Sequence, residues 1–313
     1  MNYYVANTDI DWYRFLRERK PEEMNFWQPS DNREFHAVSK GAPFLLRLKS
    51  PVKKVAGMAF YSAFSFLPLS MAWQNFGELN GCRDQDELRG KINGYRRDQS
   101  ERNPRIGCLI LSDPIFFNEA DWLDVPEWHN SIVSGKTYSM DSAPGIVFWE
   151  KIRMLLEKYN FFDRKIDPAT NMVESLEENS RYGSEYLTRA RLGQGAFRIT
   201  VMDAYNRKCS ISGEKTLPVL QAGHIKPFSM SGPNKIKNGI LLRSDIHRLF
   251  DDGYITITQE LKVEVSNNIR REFENGREYY KFHGQNLVTL PDDQENRPNA
   301  EFLNWHNENI YKG

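Results

Sequence analysis

Four side chains that could carry out hydrolytic chemistry lie in one stretch of the sequence, QAGHIKPFSMSGPNKIKNGILLRSDIHRLFDDG. They are His224, Asn238, His247 and Asp251. An imidazole is a good general base near neutral pH, and imidazole and carboxylate groups together bind divalent cations. Hydrolysis of a phosphodiester needs both functions, because a base must deprotonate the attacking water while positive charge stabilises the transition state.

The spacing of these residues assigns a role to each. The segment RSDIHRLFD predicts a turn that leads into a helix, with Asp245 as its N-cap. His247 and Asp251 are then four residues apart on one helix face, where both can bind one divalent ion. We expect this ion to be Mg²⁺ or Mn²⁺. His224, in a predicted strand, is the candidate general base, and Asn238 is expected to orient either His224 or the hairpin that carries it.

Basic residues are concentrated around this stretch. The chain has 42 basic and 42 acidic residues and no formal net charge, yet residues 189–248 hold eleven lysines and arginines against three acidic residues. Such a local excess suits a polyanionic substrate, although a solvated basic face gives the same pattern. The residues expected to contact DNA are Arg191, Gln194, Arg198, Lys226 and Arg248.

The runs AGHIKP and NGILLRSDIHRLFD, in this order and spacing, resemble the HNH endonucleases. With the upstream RLGQGAFRITVMDAYNRKCSISG, which resembles bacterial restriction-type members, the resemblance covers about residues 189–252. It implies a β-hairpin and a helix around one metal ion, the ββα-metal fold, with His224 as the base and His247 as a metal ligand. Many members have a metal-binding Asp or His just before the first histidine, where this chain has Gly223. Asp251 is expected to replace that ligand.

Other HNH members brace the hairpin with a zinc ion held by two CxxC pairs. Of these four positions the chain keeps only Cys209, while Ser212, Arg243 and Ile246 occupy the others. We therefore expect no structural zinc, and hydrophobic packing in its place. The apolar side chains expected to hold the hairpin are Ile211, Leu241, Leu242 and Phe250.

At 313 residues the chain is long enough for two domains. Within residues 1–148, the runs FLLRLKS, VAGMAFYSAFSF and IGCLILSD predict strands, and PLSMAWQNFGELNG and CRDQDELRGKINGYRRDQ predict helices. A compact α+β, barrel-like domain fits this pattern. The segment FWEKIRMLLEKYNFF predicts a helix that opens a helical linker over residues 149–188. The nuclease domain is then predicted over residues 189–313.

The elements DIDWYRFL, MNFWQPS, FLLRLKSP, FSFLPLSMAWQNFGELNG and GKTY resemble the PUA-like superfamily, in particular EVE-type domains fused to HNH nucleases. The resemblance implies an N-terminal β-barrel with helices that reads modified bases by flipping them out of the duplex. Aromatic faces can replace the stacking that a flipped base loses. Each candidate aromatic could also be a core residue. The candidate pocket residues are Trp27, Pro29, Tyr61, Trp73 and Phe117.

Composition limits where the protein works. The sequence has no apolar run of bilayer length, no export signal pattern and no CxxC pair among its three cysteines. We therefore expect a soluble cytoplasmic protein that has no membrane partner and acts on double-stranded DNA. Cutting both strands requires two active sites, which favours a homodimer.

The best interpretation of the sequence is a modification-dependent restriction endonuclease that reads a modified base, expected to be a modified cytosine. Two alternatives stay open. One is an HNH nuclease that acts on unmodified or structured DNA. The other is a catalytically inactive DNA-binding protein, and Gly223 is the feature that keeps it open.

Overall fold

The computed structural model describes residues 1–159 and 193–313. The chain divides into two compact units after Arg191, and we describe each by itself. Arg191 and the predicted linker from residue 160 onward lie outside the described residues.

Unit 1 is built on seven strands and four α-helices within residues 1–159. The strands are β1 (Asn2–Thr8), β2 (Glu23–Gln28), β3 (Pro43–Leu48), β4 (Lys54–Pro68), β5 (Arg105–Phe116), β6 (Leu123–Asp124) and β7 (Gly135–Ser139). The helices are α1 (Ile10–Arg19), α2 (Leu69–Phe76), α3 (Gln85–Tyr95) and α4 (Gly145–Lys158). Strands β3 to β5 and helices α2 and α3 lie in the segments where the sequence predicts them.

The strands form one sheet in the order β2-β5-β4-β3-β1-β7, with β6 paired to β4. Strands β1 and β3 run parallel, and the other pairs are antiparallel. Within residues 1–159 no pairing joins the outer strands β2 and β7. The predicted α+β fold is confirmed, but its sheet is not a barrel closed by strand pairing.

Both faces of this sheet are buried. Successive residues of a strand point to opposite faces, and those of β1 enter two separate clusters. Ala6 packs in a cluster that includes Trp12 and Leu16 of α1. Val5 packs in a second cluster that includes Ile152 of α4. Burial on both sides explains why β3 reads as an almost continuous apolar run rather than an alternating one.

Helix α4 extends unit 1 beyond residue 148. It continues to Lys158, and Trp149, Ile152 and Leu156 are buried in the second cluster of the sheet. The predicted start of the linker at residue 149 therefore falls inside a helix that packs on unit 1.

Unit 2 contains five α-helices and four strands within residues 193–313. Its helices are α5 (Gln194–Ala204), α6 (Ser244–Asp251), α7 (Asn268–Phe273), α8 (Arg277–Tyr280) and α9 (Ala300–Asn309). Its strands are β8 (Leu220–His224), β9 (Gly239–Arg243), β10 (Ile255–Ile257) and β11 (Val263–Val265). No helix in the described ranges, 1–159 and 193–313, is long and apolar enough to cross a lipid bilayer.

Strands β8 and β9 form an antiparallel hairpin in which His224 faces Gly239. Helix α5 packs closely on this hairpin, because a Cβ atom at Gly239 would lie 2.4 Å from Val201 Cγ2. Helix α6 begins directly after β9, and Arg243, not the predicted Asp245, occupies its N-cap. Asp245 lies in the first turn of the helix instead, where its carboxylate accepts hydrogen bonds from the Arg243 guanidinium at 2.6 and 2.7 Å.

The hairpin is held by apolar packing, as predicted. The side chains of Ile211, Leu241, Leu242 and Phe250 are all buried. Cys209 is also buried, and its Sγ accepts hydrogen bonds from the backbone N–H groups of Ser212 and Arg243, both at 3.3 Å. The thiol thus links the turn before the hairpin to the strand β9 by direct hydrogen bonds.

Candidate active site

An open cleft of about 320 Å³ in unit 2 brings together the chemical groups that the sequence singles out. His224 is the last residue of β8, and His247 and Asp251 lie one turn apart on α6. The cleft is lined by Gln194, Phe197, Arg198, Ala222, Gly223, His224, Ile225, Pro227, Phe228, His247, Asp251, His306 and Ile310.

The environment of His224 prepares it to act as a base. Its Nε2 lies 2.8 Å from Asn234 Oδ1. An amide oxygen only accepts hydrogen bonds, so this contact assigns the proton to Nε2 and leaves the lone pair on Nδ1. The ring stacks on Phe197 with centroids 3.9 Å apart. Burial lowers the pKa of His224 below its usual value, and Arg198 acts in the same direction, so the ring is neutral at pH 7.

His247 is oriented by a residue that the sequence analysis missed. Its Nδ1 lies 2.8 Å from Gln221 Oε1, so Nδ1 carries the proton and Nε2 offers its lone pair. Burial lowers the pKa of His247, which keeps the imidazole in the neutral form that a metal ligand requires. Gln221 is two residues from Gly223 on β8, and both therefore point to the side of the strand that meets His247.

Gly223 leaves the space that the His247 ring occupies. A Cβ atom at this position would lie 2.4 Å from His247 Nε2. A side chain at residue 223 would therefore point at the nitrogen that is available to bind a metal. Residue 223 therefore lies beside His247 and Asp251, the two groups of the cleft that could hold a metal ion.

The remaining two groups fit one divalent ion. His247 Nε2 and Asp251 Oδ2 lie 3.4 Å apart. Adjacent ligands on an octahedral ion, each about 2.1 Å from it, lie about 3 Å from each other. In the part of the chain that the structure describes, no group of three His, Cys, Asp or Glu side chains could hold a metal. Water and phosphate oxygens would have to complete the coordination, as is usual for Mg²⁺.

Asn238 holds the loop of the hairpin rather than the His224 ring. The side chain is fully buried. Its Oδ1 accepts a hydrogen bond from Lys226 N at 2.9 Å, and its Nδ2 donates to Lys226 O and Pro233 O, both at 3.0 Å. Of the two roles left open for Asn238, the structure favours orientation of the hairpin. The contact to the ring comes from Asn234, which sequence reasoning missed because GPNK reads as an ordinary turn.

The residues predicted to contact DNA divide into two groups. Gln194 and Arg198 are exposed and line the cleft. Lys226 and Arg248 do not line it: Lys226 Nζ lies 5.4 Å from the centroid of the Trp305 ring, and Arg248 pairs with Asp252 at 2.8 Å. Arg191, as noted, lies outside the described residues.

The C-terminal segment, for which the sequence suggested no role, contributes His306 and Ile310 to the cleft wall. His306 stacks on Phe250 of α6 with centroids 3.8 Å apart, and its Nε2–H donates to Phe250 O at 3.1 Å. Helix α9 therefore supports the helix that carries His247 and Asp251. No local pattern in the sequence indicates this contact.

The structure does not bring the five predicted base-pocket residues together. Tyr61 and Phe117 are buried in two different core clusters of unit 1. Trp73 lies on α2 and is partly buried. Trp27 and Pro29 lie at the end of β2, where Trp27 Nε1 donates to Asn80 O at 3.0 Å.

An exposed aromatic residue lies beside Trp27. The ring of Tyr95, which is 54% exposed, has its centroid 6.2 Å from that of Trp27. Arg96 lies next to it in the sequence and donates to Pro29 O at 2.9 Å. Of the predicted pocket residues, only Trp27 and Pro29 are thus seen to lie close together.

Comparisons with solved structures give low overall similarity. The ASCH protein from Zymomonas mobilis has 15% identity and a TM-score of 0.32, over 46% of this chain and 93% of that chain. A mutant form of that protein has 14% identity and a TM-score of 0.32, and the match covers 49% of this chain and 96% of the mutant. A structure described as the modification-dependent TagI restriction endonuclease has 12% identity and a TM-score of 0.27. This match covers 92% of this chain and 75% of that chain.

No curated protein matches the chain in sequence. Residues 209–258 match a family model described as HNH endonuclease. The matched segment contains the hairpin β8-β9 and helix α6, and with them His224, Asn238, His247 and Asp251. Residues 209–258 therefore form an HNH endonuclease domain.

Proposed function

We propose that this protein is a modification-dependent DNA endonuclease of the restriction type that hydrolyses phosphodiester bonds in the cleft of unit 2. The proposal rests on one observation: two imidazoles line the same open cleft, and each has a different ring nitrogen bonded to an amide oxygen. His224 offers a basic Nδ1, and His247 offers a ligating Nε2 next to the Asp251 carboxylate.

His224 is the general base in this proposal. Its Nδ1 accepts a proton from water as the water oxygen adds to phosphorus and the bond from phosphorus to the leaving oxygen breaks. Asn234 and Phe197 hold the ring in position during this transfer. Arg198 and Gln194, both exposed in the cleft, hold the neighbouring phosphates.

His247 and Asp251 would hold a divalent ion, Mg²⁺ or Mn²⁺. Bound at these two residues, such an ion supplies the positive charge that stabilises the pentavalent phosphorus and the leaving oxygen. The hydrogen bond from His247 Nδ1 to Gln221 keeps the other ring nitrogen directed toward Asp251.

We assign to unit 1 the reading of a modified base, expected to be a modified cytosine, flipped out of the duplex. The aromatic pair Trp27 and Tyr95 supports this placement, because the exposed ring of Tyr95 can stack on a base. Cleavage of both strands would require two copies of the cleft, so we also propose a homodimer.

The decisive experiment uses duplexes that differ only in the modification of cytosine, incubated with the full chain and Mg²⁺, Mn²⁺ or EDTA. We expect cleavage of a modified duplex with either metal and none with EDTA. Equal cleavage of modified and unmodified duplexes would instead indicate a nuclease without a modification reader.

The His224→Ala variant separates the nuclease from a catalytically inactive DNA-binding protein, the alternative that Gly223 keeps open. We expect cleavage to fall about 10²- to 10⁴-fold, as is typical for the loss of a general base, while binding to the duplex is retained. Failure of the unaltered protein to cut any duplex with either metal would favour the inactive DNA-binding protein.

A further inference from the structure

Two large apolar side chains are exposed at the tip of the loop between β8 and β9. Phe228 and Met230 are each 57% exposed. Phe228 also lines the cleft, and its ring centroid lies 6.5 Å from that of His224. An exposed phenylalanine in the lining of the cleft is a feature that the hydrolytic chemistry does not use.

Backbone hydrogen bonds hold the turn that carries these two side chains. Met230 N and Gly232 N donate to Pro227 O at 2.9 and 3.0 Å, and Ser231 N donates to Phe228 O at 3.0 Å. Gly232 is required for this closure, because a Cβ atom there would lie 1.8 Å from Lys226 O.

Asn238 fixes the base of the same loop through its bonds to Lys226 and Pro233. The backbone of the loop that carries Phe228 and Met230 is thus held at its base and at its turn.

The surroundings of the tip indicate what it contacts. Arg198 is exposed in the same cleft, and Lys235 and Lys237 follow in the same loop. Two side chains offer far less than the roughly 800 Å² per partner of a stable protein interface. An apolar tip in a cleft that also exposes Arg198, on a loop that carries Lys235 and Lys237, instead matches a side chain that enters a base step while cations bind neighbouring phosphates.

We propose that Phe228, assisted by Met230, is a wedge that enters a base step of the duplex held in the cleft and partly unstacks it. The inference rests on the proposed function, because it takes the DNA of that reaction as its ligand. The wedge opens the helix beside the scissile phosphate and so turns that phosphate toward His224 and the His247–Asp251 pair. Phe228 acts on the DNA as a positioning residue and takes no part in proton transfer.

The test measures unstacking without cleavage. The full chain with His224→Ala is bound to modified and unmodified duplexes that carry a single 2-aminopurine at successive positions. We expect fluorescence to rise about twofold or more at one or two adjacent positions, because 2-aminopurine brightens when it loses its neighbours. Adding Phe228→Ala should remove the rise and weaken binding about tenfold.

The matched control is Phe273→Ala, since Phe273 is also 57% exposed on unit 2 and is not among the residues that line the cleft. This control should keep both the fluorescence rise and the affinity. A rise that persists in Phe228→Ala, or binding without a rise at any position, overturns the wedge.

The proposed function is judged separately by cleavage with His224 intact. Cleavage that is unaffected by Phe228→Ala, with no fluorescence rise, rejects the wedge and keeps the nuclease. Absence of both cleavage and duplex binding rejects both. A change in sedimentation of Phe228→Ala without DNA, together with unchanged fluorescence, would assign the tip to contact with a second protein chain and also rejects the wedge.

Discussion

The two histidines of the cleft differ in which nitrogen carries the proton, and this difference underlies the roles that we propose for them. The Asn234 amide oxygen fixes the proton of His224 on Nε2, while the Gln221 amide oxygen fixes that of His247 on Nδ1. The first ring therefore presents Nδ1 as a base, and the second presents Nε2 as a ligand. Two amide side chains, neither of them reactive, determine how each imidazole of the cleft can react.

The pH dependence of cleavage should report the environment of His224. Burial and Arg198 lower its pKa, and the bond to Asn234 raises it. Since the neutral form is the base, we expect kcat at saturating metal to hold at pH 6.5 and to fall only at lower pH. Arg198→Gln should move the fall to higher pH, and Asn234→Ala should move it to lower pH. Shifts in the same direction for both variants would contradict this assignment.

Gln221 should matter through metal binding. Removal of its bond to His247 Nδ1 leaves the ring free to rotate or to change its protonated nitrogen. Loss of such a supporting contact typically costs 10- to 100-fold in metal affinity or activity, and we expect Gln221→Ala to raise the Mn²⁺ concentration for half-maximal cleavage about tenfold. Gln221→Glu keeps an acceptor and should restore most of the affinity. Equal metal requirements for all three proteins would remove Gln221 from the site.

The sequence could predict the reactive groups of the site but not their partners. His224, His247 and Asp251 were recognisable because their spacing is set by a hairpin and one helical turn. Gln221, Asn234 and His306 were not, because each acts through a contact made only after the chain folds. No local pattern in the sequence distinguishes such an amide or imidazole from an ordinary surface or core residue.

At the level of elements, two helices, α5 and α6, pack against the hairpin β8-β9 at the residues proposed to carry out the reaction. Phe197 of α5 stacks on His224, and α6 brings His247 against Gly223. The buried Asn238 then fixes the loop that joins the strands. The residues of the site thus lie on strands, on a helix and next to one hydrogen-bonded loop. This arrangement is expected where the geometry of a reaction must be held closely.

Asn238→Ala should destabilise unit 2. The substitution leaves part-buried backbone groups of Lys226 and Pro233 without their partners. An unsatisfied buried group costs about 1–3 kcal/mol, and water can reach part-buried groups, so we expect the free energy of unfolding to fall by about 2 kcal/mol. Hydrogen exchange of β8 and β9 amides in urea would measure this loss. As a control, Asn309→Ala on the exposed face of α9 should change the stability by less than about 0.5 kcal/mol.

His306 should make unit 2 sensitive to acid. Burial lowers its pKa to about 4, whereas the unfolded imidazole titrates near 6.5. Between these values only the unfolded chain takes up the proton, so stability is complete above pH 6.5 and is lost as pH falls toward 4, by up to about 3 kcal/mol. Unfolding of α9 followed by hydrogen exchange at pH 7, 6 and 5 should show this loss. His306→Gln should flatten it, and an unchanged slope in that variant would assign the acid sensitivity to other groups.

Elements were predictable where their pattern is local. The helix α2 lies within a segment predicted to be helical and ends at Phe76, and the following Gly77 has φ +48°, a conformation that favours glycine. Whether the sheet closes could not be predicted, because closure depends on whether β2 and β7 pair, and neither strand's own sequence specifies its distant neighbour. The N-cap at Asp245 was wrong because the helix begins at Ser244, and the Asp245 carboxylate binds Arg243 and Tyr279 from within the first turn.

On the scale of the whole molecule, the chain separates its proposed tasks between two units with independent cores. Unit 1 buries both faces of one sheet, and unit 2 has its own apolar packing around the hairpin. Such units commonly keep their structure when separated. Reading of a base and hydrolysis of the backbone can therefore be tested apart.

Residues 193–313 expressed alone should keep metal-dependent cleavage, because the cleft is built from residues of this unit. We expect them to cut modified and unmodified duplexes at rates within about twofold of each other, whereas the full chain should prefer the modified duplex. Circular dichroism would verify that the fragment folds. A folded fragment that still prefers modified DNA would place the reader in unit 2.

The position of β1 has a consequence for how the protein is made. This strand lies between β3 and β7 in the sheet, and Asn2 is paired with Ser139. Because synthesis runs from the N-terminus, the first strand must wait for more than a hundred later residues to leave the ribosome before its second neighbour exists. The histidines of the cleft are translated later still. In the newborn chain, the ability to cut can arise only after the last strand of the sheet has been made.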